Sequence, residues 1–313
     1  MPVHHHAVTE FMEAGNVFSL FATKGSMAKP SSDLLRSVAH TGRRAIGSVE
    51  VRRATAQGAT TSAVIAAVKK SLAGQASQEE AGWIDRVERK RQELAASATP
   101  LTIVDFGAGT KSQFDTDGSA VSHTTTKTLG EMTRSSKSPR WAFLLLRIVR
   151  ELDPKACVEL VSCVGISASY EAAALEVNGH GRLITLEGAD VLAERSQQTI
   201  DELGLGGRAG VRLGQFTGTL PGTLDDLPPV GYAFIDGHHV EDATIDYMEQ
   251  ILPHLAPEAV LVFDDINWSA GMKRAWARIA ADPRFAATVD LKKVGIAVVS
   301  AERTSRPISI SYA

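Results

Sequence analysis

Residues 156–187 read ACVELVSCVGISASYEAAALEVNGHGRLITLE, a strand, a tight turn, a helix, a second turn and a second strand. Val158 to Val161 is short, apolar and β-branched at its ends, as a strand buried on both faces requires. Gly165 stands where the backbone must turn sharply and admit a ligand closely. Residues 168–177, rich in Ala, Leu and Glu, form a helix that packs tightly on a sheet. Asn178-Gly179 and Gly181 end that helix, and residues 183–186 give the second strand. Glu187 closes that strand about 20 residues beyond Gly165, where a βαβ unit sets an acid against the hydroxyls of a cofactor ribose. No full G-x-G-x-x-G is present, since Val161 and Cys163 occupy positions that prefer small residues, so a purely structural βαβ stands beside the nucleoside-cofactor reading.

The remaining chain extends this unit into an α/β fold. Downstream strands are expected at 210–214, 232–235 and 259–263, with helices at 191–203, 242–255 and 271–281 between and after them. The end, 288–291 and 295–300 around Lys292-Lys293, reads as a hairpin. Alternating β and α followed by a hairpin predicts a mostly parallel Rossmann-like sheet carrying one antiparallel strand. Upstream, Ser138-Pro139 starts a helix near Arg140 whose apolar face should pack on the edge of the sheet. The first third is a helical extension with a helix at 62–72 and a charged amphipathic one at 78–96. Trp83, Ile84 and Val87 form the buried stripe of the latter and its charges a solvated face, suiting a lid or a homodimer surface. The expected organisation is an extension over 1–98, a connecting strand and loop over 99–137, the cofactor-binding domain over 138–302 and a tail over 303–313.

A second glycine turn, LTIVDFGAG at 101–109, looks like a binding turn but leads into the polar run TKSQFDTDGSAVSHTTTK rather than a helix. A cofactor turn must open into a helix whose N-terminal amides face the ligand. Asp105 and Gly107 are therefore read as part of a strand or hairpin leading into the main domain.

Composition narrows the function. A net charge of -3 over 313 residues gives no electrostatic case for nucleic acid. No run approaches the roughly 20 apolar residues that span a bilayer, and the first residues lack the basic-then-apolar pattern of a secretory signal. Cys157 and Cys163, the two cysteines, flank the first core strand and read as small thiols in a reducing cytoplasm.

Four segments, VELVSCVGIS (158–167), ITLEG (184–188), YAFIDGHH (232–239) and LVFDDINW (261–268), together resemble class I S-adenosylmethionine (SAM) methyltransferases of the catechol O-methyltransferase-like group. The resemblance covers roughly residues 138–300. It implies a SAM site built from Glu159, Val161, Ser162, Gly165 and Ser167 around the first turn, Glu187 and Gly188 after the second strand, Gln215 and Phe216 after the third, and Asp236 after the fourth. Val161 departs from the family's glycine, and Gln215 stands where an acid often meets the adenine amino group. Asp236, Asp264 and Asp265 match the group's metal ligands, and three carboxylates at one sheet edge need neutralising, a task hard oxygen ligands perform with Mg²⁺. His239 stands where the group carries a catalytic lysine, and with Asp236 it is the expected catalytic pair, able to deprotonate a hydroxyl. Trp268 and Met272 are candidate walls of the acceptor pocket. The function so implied is methyl transfer to an oxygen of a small molecule, with or without a divalent metal. The alternatives are a metal-independent N- or S-methyltransferase and a non-catalytic cofactor-binding protein. A nicotinamide oxidoreductase is disfavoured by the terminal hairpin and the Asp-rich strand ends.

Overall fold

The computed structural model describes residues 58–105, 123–301 and 308–311. Two helices open the described chain, α1 (Ala59–Leu72) and α2 (Gln78–Ala95). The hairpin strands β1 (Pro100–Asp105) and β2 (His123–Thr128) follow, then the short α3 (Leu129–Ser135) and α4 (Pro139–Leu152). The α/β body runs β3 (Ala156–Leu160), α5 (Ile166–Asn178), β4 (Arg182–Glu187), α6 (Asp190–Glu202), β5 (Ala209–Leu213), α7 (Phe216–Asp226) and β6 (Val230–Ile235). It closes with α8 (Glu241–Ile251), β7 (Leu255–Phe263), α9 (Ala270–Ala280), β8 (Ala287–Asp290), β9 (Gly295–Val299) and β10 (Ile308–Ser311).

Among the described residues the main sheet has eight strands in the order β10-β8-β9-β7-β6-β3-β4-β5. Only β9 runs against its neighbours, pairing antiparallel with both β7 and β8 while β10 lies parallel to β8. One antiparallel strand in a parallel sheet is the arrangement expected from the terminal hairpin. The added edge strand β10 falls in the segment expected to be a tail. β1 and β2 make a separate antiparallel pair, so 101–105 enters a hairpin as expected; Gly107 and Gly109 lie outside the described residues.

The pleat divides the core into two layers. Cys157, Tyr232, Phe234, Val260 and Val262 face one cluster with apolar residues of α1, α2, α4, α5 and α6. Val158, Leu160, Ile235, Leu261 and Phe263, the alternate positions, face a second cluster under α7, α8 and α9. Alternation of side chains along a strand is what lets one continuous apolar run serve both faces. Each large side chain so enclosed contributes about 1.5–3 kcal/mol.

Two expectations are corrected here. The apolar helix α4 lies over the middle of the sheet against β6, between α1 and α5, rather than on its edge. The reason is that α1 covers the other flank of α4, so nearly its whole circumference is enclosed. The charges of α2 are also not a simply solvated face. Trp83, Ile84 and Val87 are buried as expected, but so are Glu80, Glu88 and Arg91. Glu80 caps its own helix through the Ser77 amide (2.7 Å) and binds Arg147 (2.6 Å) and Arg150 (2.9 Å) of α4. Tyr170 of α5 donates to Glu88 at 2.8 Å. Buried charges persist only when paired in this way, and here the pairs join the extension to the sheet-covering helices. The helix α7 has no counterpart in the expected element list, because Gly218, Pro221 and Gly222 break its sequence pattern.

Candidate active site

The chain runs outward from β3 to β4 and β5, then crosses back to β6 on the other side of β3. Open α/β sheets bind ligands where the order reverses, outside the carboxyl ends of the strands. Here the reversal lies between β3 and β6. The ladder continues past the strand ends: Val161 and Ser162 donate to the Leu186 carbonyl, Asp236 to Leu160 and Asp264 to Ile235. These bonds bring Val161, Ser162, Glu187, Asp236 and Asp264 to one edge.

The turn after β3 keeps a glycine-like path without the glycine. Val161 has φ 81° and Cys163 φ 50°, with Gly165 at φ 84°. A β-branched residue in the left-handed region costs of order 1–3 kcal/mol and persists only where its surroundings impose it. Glu187 supplies part of that restraint: its Oε2 accepts the Cys163 amide at 2.9 Å and its Oε1 the Ala189 amide at 3.1 Å. A Cβ on Gly165 would stand 2.9 Å from the Ser196 carbonyl, so α5 approaches α6 as closely as glycine allows.

Beneath the turn lies a polar strip. Glu159 is fully buried, and among the described residues neither of its carboxylate oxygens finds a hydrogen-bond partner. Burial raises its pKa to about 7, against the pull of the nearby Ser167 and Thr185 hydroxyls. The buried Ser162 and Thr185 hydroxyls are likewise without partners among the described residues. Buried polar groups are normally satisfied, so an orphaned acid and two orphaned hydroxyls around one turn fit a polar ligand that carries donors. Ser167 is nearly buried at the start of α5, and Gly188 is half-buried after β4. Beyond β5, Gln215 is exposed at the N-cap of α7, and Phe216 is buried with its ring edge against Gly237. The structure therefore gathers the first turn, Glu187, Phe216 and Asp236 at the carboxyl edge, with Gln215 at the rim.

At the next two strand ends, Asp236 follows β6, and Asp264 and Asp265 follow β7. The cation among them is Lys137, a residue that sequence reasoning passed over. Its side chain is 9% exposed, and its Nζ lies 3.2 Å from Asp236 Oδ2 and bonds Asp264 Oδ2 directly. Ser138 and Pro139 begin α4 immediately after it, so the helix start fixes where the ammonium sits. Burial opposes its charge, but Asp236 and Asp264 more than compensate and raise its pKa. Burial also raises both acids, Asp264 to about 6 through the added repulsion of Asp236, while Lys137 restrains each shift.

Asp265 turns the other way, at φ 50°, with Lys293 Nζ 3.4 Å from its Oδ1. His239 Nε2 is 3.8 Å from Asp236 Oδ1 and 3.9 Å from Asp265 Oδ2, near both carboxylates and bonded to neither. Burial lowers the His239 pKa despite the adjacent acids, which leaves its imidazole neutral at pH 7. The three carboxylates do not fit a resident Mg²⁺ in this arrangement. Among the described residues no three His, Cys, Asp or Glu side chains group as metal ligands, and Lys137 fills the place between Asp236 and Asp264.

The neighbouring residues divide. His238 Nδ1 pairs with the Tyr247 hydroxyl at 2.7 Å and meets Phe216 edge-on, so it serves the α8 side. Met272 is buried and accepts from the Thr244 hydroxyl, which makes it packing between α8 and α9 rather than a pocket wall. Trp268 is 61% exposed, with its amide donating to the Asp265 carbonyl.

Residues 158–266 match the family model described as a methyltransferase domain. This segment begins inside β3 and ends two residues after Asp264, so it contains the first turn, Glu187, Asp236, His239 and the Asp pair, but not Lys137. No curated protein is significantly similar in sequence to the chain. Among solved structures, the O-methyltransferase from Bacillus cereus in complex with SAH is 23% identical, with 54% of this chain and 84% of that one covered at TM-score 0.47. The O-methyltransferase TomG from Streptomyces achromogenes, involved in tomaymycin synthesis and in complex with SAM, is 22% identical over 53% and 82%, at 0.46. Cofactor-bound Rv0187 from MTB is 17% identical over 77% and 97%, at 0.48. The matched segment carries its polar edge at the switch point of the sheet, and no helix among the described residues is long and apolar enough to cross a membrane.

Proposed function

We propose that the chain transfers the methyl group of SAM to an oxygen of a small molecule. The observation that carries this reading is the acceptor-rich turn at the sheet's switch point, inside a segment that matches a methyltransferase domain. SAM supplies a methyl group already activated on a sulfonium, so the protein's part is binding, alignment and proton removal. Glu187 accepts the ribose hydroxyls while its bonds to the Cys163 and Ala189 amides hold the turn. Glu159, Ser162, Ser167, Gly165 and Val161 form the floor under the methionine end. Gly188, Gln215 and Phe216 flank the adenine. Asp236 stands between the cofactor floor and the acceptor side, next to His239.

His239 takes the proton from the acceptor hydroxyl. Its imidazole lies between Asp236 and Asp265; the charges of Asp265 and Asp264 favour the imidazolium once it forms, while burial, Lys137 and Lys293 oppose it. Such a base contributes typically 10²–10⁴-fold in rate. Exposed Trp268 offers the acceptor a flat apolar surface at the rim. No step is assigned to Mg²⁺. The two unbridged cysteines and the net charge of -3 fit a cytoplasmic enzyme acting on small molecules rather than nucleic acid.

Calorimetry with SAM, followed by transfer of labelled methyl to a panel of small hydroxyl, amine and thiol acceptors, tests the proposal. Micromolar SAM binding with label on oxygen is the expected result. Absence of SAM binding by folded protein overturns it, and label on nitrogen or sulfur alone overturns the oxygen assignment.

A further inference from the structure

We infer that Lys137 is the resident cation of the carboxylate edge, a positioning residue that takes the place of a divalent metal and makes the protein independent of one. The argument is geometric. Asp264 is fully buried, and three acids gather within one strand spacing at the ends of β6 and β7. Two buried carboxylates side by side are tolerated only with a compensating cation. Mg²⁺ meets that need by drawing several oxygens into octahedral geometry at about 2.0–2.1 Å. Here the compensation is covalent to the chain. The Lys137 ammonium contacts Asp236 Oδ2 and Asp264 Oδ2 together, and its side chain is itself shielded from water. The third acid is drawn off, with Lys293 against Asp265.

The position of Lys137 explains why a protein segment can replace an ion. It is two residues before Pro139, which begins α4, and α4 is enclosed between α1, α5 and the sheet. The ammonium is therefore anchored by a packed helix and cannot be washed out by a chelator. An ammonium also gives a single point charge with three donors, not an open coordination sphere. Its role is to hold Asp236 and Asp264 in place beside His239, and the reaction at that site proceeds without a metal.

This inference does not need the SAM assignment and is tested without activity. Mn²⁺, whose free aquo ion gives a six-line electron paramagnetic resonance signal that broadens on binding, is titrated into chelator-treated protein. The intact chain should leave the signal unchanged at equimolar Mn²⁺, and Mg²⁺ should not raise its melting temperature. Lys137→Ala and Lys137→Gln open the position between the carboxylates and should bind Mn²⁺ at least tenfold more tightly than the intact chain, with Asp264→Asn in the same background abolishing the gain. A merely structural lysine would lower stability without creating an ion site. Stoichiometric Mn²⁺ binding by the intact protein, lost in Asp264→Asn, overturns the inference, and so does a folded Lys137 variant with no gain. If neither variant folds, the titration of the intact protein decides alone. Failure of SAM to bind would strike the proposed function and leave this result untouched.

Discussion

Glu187 offers the sharpest test of the cofactor site, because its carboxylate has two separable duties. In the folded chain it accepts the Cys163 amide at 2.9 Å and the Ala189 amide at 3.1 Å, one on each oxygen. Glu187→Gln keeps the shape but replaces one oxygen by a donor, which must then face a backbone N–H. A hydrogen bond to a charged group contributes about 1.5–3 kcal/mol. At about 2–4 °C per kcal/mol for a domain of this size, the melting temperature should fall by about 3–12 °C. The ribose hydroxyls lose a charged acceptor by the same substitution, so the SAM dissociation constant should rise about 10- to 150-fold. Both quantities are measured on the same sample, by calorimetry and thermal melting, with native circular dichroism as the condition of folding. A lowered melting temperature with SAM affinity unchanged within twofold would show that Glu187 only braces the turn, and would refute the ribose assignment.

Other outcomes follow from the same geometry. His239→Ala should lower methyl transfer by about 10²–10⁴-fold with SAM affinity retained, and partial recovery at high pH distinguishes loss of a base from loss of the pocket. Glu159 has a folded pKa of about 7 against 4.5 for the free side chain. The unfolded chain therefore ionises first, and stability falls as pH rises from 4.5 to 7. Glu159→Gln should accordingly be more stable than its parent at pH 8 and not at pH 4, as read from urea unfolding at both values; equal effects at the two pH values would contradict the burial argument. Glu80 has the opposite sign. Although burial opposes it, the Ser77 amide with Arg150 and Arg147 depresses its pKa, so its contribution is present above its unfolded pKa and lost as pH falls through the lower folded one. Glu80→Ala should cost about 1.5–3 kcal/mol near pH 7 by removing the charged acceptor that Arg147 and Arg150 share, with Glu151 left as a partner of Arg147, less at pH 3, with SAM affinity unaffected; a loss below about 0.5 kcal/mol would mean α2 is not fastened through this network.

Much of the architecture is local and therefore legible in the sequence. The β-branched runs, the Gly165 turn, the Asn178-Gly179 stop and the placement of Glu187, Asp236 and the Asp264-Asp265 pair at strand ends all follow from periodicities spanning a few residues. The hairpin around Lys292-Lys293 even foretold the single antiparallel strand, because the four residues between Asp290 and Gly295 allow no crossover. Tertiary structure decided what depends on residues meeting from afar. Nothing near Glu80 or Glu88 announces burial, since their partners Arg147, Arg150 and Tyr170 belong to α4 and α5. α4 reads as an edge helix until α1 covers its outer side. Val161 shows only as a missing glycine, and its left-handed backbone is imposed by the surrounding turn. Lys137 is the clearest case: 127 residues separate it from Asp264, and in sequence it is one lysine in a polar run. Three strand-end acids state that a positive charge is required, because buried like charges cannot stand alone. Which charge supplies it is a matter of packing, fixed by where α4 begins above the ends of β6 and β7.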